Sequence, residues 1–399
     1  MHVLPYVAVA PCVAEVLDEV QGGAVDQESV WVNAYIAAPE RCTAETSVQI
    51  KKGAHGVEIT SSSPAFPVEA KSARCVAVQS QSTVKTPWVD VCIAEEKGGI
   101  PFADGPRGAW RFALSVSASG MERWCAGGPS GALHVGEWAN STDPFRTPIP
   151  LAGHASDITS VRFFPSGEVV LTTSLDMRAK IYSAIDGSNP RTLAGHTRAV
   201  YCSAILGRGR EVLTGSADGT VRVWDVGQAT TKTTLTAPDH AAVLALDVDE
   251  EHAYGGLASG QLAVWALSGG APRLVPVPAA PGGEAGRVQA LAVDLAAHRL
   301  ALGTSSGVCA VYDTRDLAAV ATFWRNTAEV TDVHWAGAEL LVSTSDGLPF
   351  RASLAPQVLV EYAGWDADPV DALRPARGGV VAVGAGEYAR YAENCTAAV

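Results

Sequence analysis

The sequence predicts an all-β fold, a seven-bladed β-propeller behind a small, mainly β N-terminal domain, on three observations. Gly131, Met177, Gly219, Gly260, Gly307, Gly347 and Gly386 stand 46, 42, 41, 47, 40 and 39 residues apart. Five positions after five of them lies an aromatic residue: Tyr182, Trp224, Trp265, Tyr312 and Tyr391. Short apolar runs separated by Gly, Pro, Asp and Ser fill the intervals, as strands joined by tight turns require. A unit of this size cannot bury both of its own faces, so the copies must stack.

A period near forty with a turn and an aromatic at fixed offset marks a blade of the WD40 type. The chain divides into 1–104, an N-terminal domain that includes a ring-closing strand, and 105–399, the propeller. Gly153–Ala184 and Gly195–Val226 are the most regular units. Each carries Gly-His, a strand (ITSVRFF, VYCSAIL), a turn, a second strand (VVLTTS, VLTGS), a tight turn (LDMR, ADGT) and a third strand. The aromatic follows the histidine by 28 residues in both, His154 to Tyr182 and His196 to Trp224.

The other five units are degraded. Around Trp265 the turn Asp is Ser259, while His240 holds the upstream histidine place. The unit of Tyr312 has no Gly-His; Ala352 stands where an aromatic belongs; Gly136 fills that slot in the first unit. Ala363-Gly364-Trp365 replaces Ala-Gly-His in the last. Only eight residues follow Tyr391, too few for a fourth strand. An open edge invites mispairing, so an earlier strand must close the last blade. Trp88–Ile93 is the expected donor. Ahead of it, Ser29–Ala37 and Ser72–Val84 alternate with period two as half-buried strands, and Gly22-Gly23 ends a short helix over Ala14–Val20. Ala271–Gly286 is a long link between two blades.

Composition narrows the function. The 399 residues are 18% charged with a net charge of −13, which disfavours nucleic acid and anionic membrane and favours a basic protein surface. The eight cysteines form no C-x-x-C pair or zinc pattern, so no metal or cofactor is expected. Scattered thiols and a proline-broken, acid-flanked opening suggest a cytoplasmic protein, also nuclear, rather than a secreted one. Asn140-Ser141-Thr142 and Asn394-Cys395-Thr396 match the glycosylation pattern, which matters only after secretion.

Ser216, His196 and Asp218, repeated as Ser174, His154 and Asp176, invite a hydrolase reading. Neither serine has a Gly-x-Ser-x-Gly elbow, and a catalytic triad is not duplicated at the blade period. The expectation is a structural relay in each blade, running from Asp through His and Ser to Trp224 or Tyr182. No catalytic residue is assigned. Function is expected on the rim formed by the loops before each first strand and between each second and third strand. Asp157, Asp239, Glu329, Trp365, Asp366 and Asp368 fall there as a docking set for a basic partner.

Residues 151–227 resemble the proteasomal ATPase-associated factor family, WD40 assembly chaperones of the proteasome regulatory particle. Phe163–Gly167 (FFPSG), Ser174–Met177 (SLDM), Asp186–Leu193 (DGSNPRTL) and Gly207–Leu213 (GRGREVL) carry the resemblance. It implies a non-enzymatic chaperone, a monomer before binding, that holds the C-terminal domain of a proteasomal AAA ATPase subunit. It further implies acidic residues on the propeller face against a basic ATPase surface, with Asp157 beside the matched strings. The alternative is a WD40 scaffold or substrate-recognition module of another complex such as a ubiquitin ligase.

Overall fold

The computed structural model describes residues 1–35, 43–53, 56–72, 74–81, 87–100, 110–116, 122–138, 148–283, 285–366 and 368–392. Both glycosylation patterns lie outside them. The chain is a WD40 β-propeller in which antiparallel sheets follow one another along the sequence. Their innermost strands are Arg111–Val116, Ile158–Phe163, Val200–Leu206, Val243–Val248, Val288–Asp294, Val330–Ala336 and Ala372–Ala376. Each touches the next in chain order, and the last touches the first. We number the blades one to seven in that order.

Second strands explain why the pattern reads as aliphatic runs. Val169–Ser174, Glu211–Ser216 and Arg299–Thr304 are buried along almost their whole length, because neighbouring blades cover both faces. Contact between blades is close enough to require glycine at specific points. A Cβ at Gly303 would lie 2.3 Å from Val330 of blade six, and one at Gly256 would lie 2.6 Å from Val288 of blade five.

Gly136 in the aromatic slot has a matching cause. A Cβ there would lie 2.7 Å from the indole of Trp124, whose ring comes from the second strand and fills the space. In blade six the bulk missing at Ala352 comes from Phe350, two positions earlier.

The N-terminal stretch is woven into the last three blades. His2–Val3 pairs in parallel with the outer strand of blade five, Ala319–Trp324. Val89–Ile93 pairs in parallel with Gln357–Ala363, the outer strand of blade six. Cys75–Val78 and Val68–Ser72 extend that blade to seven strands. Glu96–Gly99 is the fourth strand of blade seven, antiparallel to Glu387–Ala392.

The expected closing strand therefore needs correction: Trp88–Ile93 does not close the ring, and the next strand does. Burial gives the reason. Val89–Ile93 is buried at every position, as suits a strand inside a sheet, whereas Glu96–Gly99 alternates in the manner of an edge.

A separate four-stranded sheet, Tyr6–Val9, Gln27–Tyr35, Thr43–Gly53 and Gly56–Ser61, packs with the helix Val13–Gly22. Gly23 ends that helix in the left-handed conformation, φ 77°. The helix buries Val13, Val16, Leu17 and Val20 in one core with Val76, Val78, Val91 and Ile93. The strand foreseen at Ser72–Val84 is Cys75–Val78, and 82–86 lie outside the described residues.

Candidate protein-binding face

Loops before the first strands and between the second and third strands share one face, where the relays sit. In blade three His196 Nδ1 contacts Asp218 Oδ2 at 2.8 Å and Nε2 contacts Thr214 Oγ1 at 2.8 Å. Trp224 Nε1 donates to the same Thr214 Oγ1 at 2.8 Å. Blade two repeats the first half: His154 meets Asp176 and Thr172, each at 2.8 Å. Burial lowers the pKa of both histidines against the pull of their aspartates. Burial also raises Asp218, but hydrogen bonds from Thr220, His196 and the Thr197 N–H outweigh it and hold the carboxyl at about 2.

The relay through serine is corrected by this geometry. Ser216 Oγ donates to Ala199 O at 2.8 Å and accepts the Asp218 N–H at 3.1 Å; Ser174 Oγ bonds Ser156 O and the Asp176 N–H in the same way. Each serine braces the turn at the strand end, while the threonine two residues earlier, on the same strand face, reaches the imidazole. His196 is thus bonded to Thr214 and Asp218, and the serine–histidine pairing a hydrolase needs is not made.

His240 is corrected too. It is exposed in the turn Pro238–His240. Blade four has Gly255 and Leu257 at the threonine and serine places, so the imidazole would find no hydroxyl there. Trp265 Nε1 donates instead to Thr236 O at 3.2 Å, at the end of the outer strand of blade three.

Similar inter-blade bonds run from Tyr182 OH to Ala152 O (3.1 Å) and from Tyr391 OH to Ala363 O (3.1 Å). The spacing of the aromatics was visible in the sequence, but their carbonyl partners, set by the packing of one blade on the next, were not.

The expected docking residues separate into four groups. Asp157 and Asp239 are exposed on the face, and so is Asp366; among the described residues none of the three forms an ion pair. Asp157 accepts the Ser130 N–H at 2.8 Å, and Asp239 sits at φ 52° in its turn. Asp368 is half-buried on the same loop as Asp366. Glu329 is partly neutralised, with Arg287 Nη2 3.5 Å away. Trp365 leaves the set: it is 4% exposed, and its Nε1 donates to Tyr391 OH at 2.9 Å. Standing in the place of the blade histidine, its ring turns inward and ties the loop to the aromatic.

The innermost strands line a central channel of 1480 Å3 whose mouth on this face includes Pro129, Asp157, Leu175, Arg287 and Glu329. Two ion pairs cross it between blades. Arg162 of blade two reaches Asp247 of blade four (3.3 Å) and Leu246 O (3.0 Å), and Arg374 pairs with Asp332. Asp371 accepts the Trp110 N–H at 2.8 Å, and burial pushes its carboxyl up to about 6. His334 faces the channel with its pKa lowered to about 3 by burial, with Arg374 and Arg162 adding to the effect. The Arg162–Asp247 and Arg374–Asp332 pairs thus join blades across the channel. No cluster of His, Cys, Asp and Glu among the described residues could hold a metal.

A ring of blades with polar relays and a rigid loop face defines a WD40 propeller, a scaffold class that acts by contact. Residues 145–183 and 187–225 match the WD domain, G-beta repeat. Over 57 residues, 14% of each chain, the protein is 56% identical to 26S proteasome regulatory subunit RPN14 of Saccharomyces cerevisiae. It is 36% identical over 78 residues to eukaryotic translation initiation factor 3 subunit I of Xenopus tropicalis, 20% of this chain and 24% of that one. The corresponding subunit of Vanderwaltozyma polyspora is 35% identical over 91 residues, 23% and 26% of the two chains. The matches span between a seventh and about a quarter of these relatives.

Proposed function

We propose that this protein is a seven-bladed WD40 assembly chaperone of the proteasome regulatory particle base. In this reading it binds the C-terminal domain of a proteasomal ATPase subunit in the cytosol or nucleus and leaves before the particle is complete. The observation that carries the reading is the 56% identity with a proteasome regulatory subunit, well above the 30–37% of the initiation-factor matches. Asp157, Asp239 and Asp366 on one face supply the charge that a basic ATPase surface would meet. The initiation-factor matches favour a second reading, a scaffold subunit of another assembly.

The test is titration of the full chain against each purified ATPase C-terminal domain. Binding of one domain, weakened by Asp157→Lys and by added salt, is the expected result. Binding that ignores both changes would place the partner on another surface.

A further inference from the structure

We propose that Met177 and Leu175 form an apolar anchor on the acidic face, seated in a hydrophobic recess that basic side chains flank on the protein partner. This rests on the reading above and adds to it the feature that would fix the register of the complex.

The first observation is backbone strain. Gly131, Gly219, Gly260, Gly307, Gly347 and Gly386 occupy the equivalent turn with φ between 74° and 83°, where a side chain is disfavoured. At Gly131, Gly219 and Gly307 a Cβ would also come within 2.6 Å of the next blade's loop backbone. Blade two alone places a side chain there, Met177 at φ 66°. A non-glycine residue held in this region marks a candidate functional position.

The second observation is exposure. Met177 is 46% exposed and Leu175 is 37% exposed, on either side of Asp176. Asp176 is occupied with His154 and leaves the two apolar side chains to the solvent. An Asp-Gly turn, as at Asp218-Gly219, would hold the relay without strain and without exposed hydrophobic surface. Folding therefore gives no reason for this residue pair, and interfaces favour methionine for its adaptable shape.

The third observation is charge. The Leu175 N–H donates to Asp157 O at 3.0 Å, which sets the anchor beside an exposed carboxylate at the channel mouth. Asp157 forms no ion pair among the described residues, and the chain carries a net −13. A basic rim around an apolar recess is the complement of this arrangement.

The experiment compares wild type, Met177→Gly, Met177→Leu and Asp157→Lys, each full length, by Tm and by titration with the purified ATPase C-terminal domains. Met177→Gly should bind about tenfold more weakly at an unchanged or raised Tm, while Met177→Leu keeps most of the affinity. If Met177→Gly binds like wild type and Asp157→Lys does not, the anchor is wrong and the acidic face stands. A lowered Tm in Met177→Gly would give Met177 a packing role and overturn the anchor. If no domain binds wild type, the anchor falls together with the reading it rests on.

Discussion

The hydroxyl of Thr214 lies 2.8 Å from both His196 Nε2 and Trp224 Nε1, so one oxygen serves two buried ring nitrogens. Thr214→Val keeps the shape and strands both nitrogens, at a cost of about 1–3 kcal/mol in urea unfolding. A neutral variant would remove Thr214 from the relay. Trp224→Ala should cost roughly 3–5 kcal/mol through the cavity it leaves, with the partner's affinity retained.

At the junction of the N-terminal sheet with blade six, Arg325 and Glu361 pair at 3.0 Å, 3% and 5% exposed. The Arg325 guanidinium lies 4.2 Å from the Tyr6 ring and 4.7 Å from Phe350. Burial pushes the Glu361 carboxyl up to about 7, against the opposing pull of Arg325. A folded pKa above the unfolded value means the native state holds the extra proton, so this group lowers stability as pH rises from about 4.5 to about 7. Glu361→Gln should remove that slope from the stability–pH profile, and an unaltered slope would contradict the assignment.

His and Asp were legible as relay members because their spacing repeats. The acceptor was not: Thr214 and Ser216 share one strand face, and only the depth of the imidazole in the blade decides between them.

At the scale of elements, three of the five degraded blades are ones that the N-terminal strands reinforce. Blades two and three have His–Asp relays, whereas five, six and seven receive His2–Val3, Val89–Ile93 and Glu96–Gly99. A chain starting at residue 96 keeps the closing strand but leaves Gln357–Ala363 with an open edge, and its Tm should fall. A chain starting at residue 101 should fall further and aggregate through the edge of Glu387–Ala392. Equal Tm values for the two truncations would deny Glu96–Gly99 its closing role.

The turn ladder made the blades readable because each turn uses local chemistry. Strand donation was readable only as a need, since parallel pairing across more than 260 residues leaves no local trace. The uniformly apolar Val89–Ile93 favours a strand interior to a sheet over an edge, and that was the available clue.

Across the whole molecule, the Arg162–Asp247 and Arg374–Asp332 pairs join blades inside the central channel, while Asp157, Asp239 and Asp366 stay exposed on one face. Reversing all three to Lys should weaken partner binding, and the residual binding should depend less on salt. No ion pair among the described residues is lost, so any fall in Tm comes from the Ser130 N–H bond to Asp157 and the left-handed backbone at Asp239. Glu329 is a poorer choice for reversal, since a lysine there would face Arg287.

The most direct test of the chaperone reading is recovery of the tagged protein from its own cells, followed by identification of what accompanies it. Free proteasomal ATPase subunits, without the finished proteasome, are the predicted companions. Translation-initiation or ubiquitin-ligase components in their place would contradict the reading.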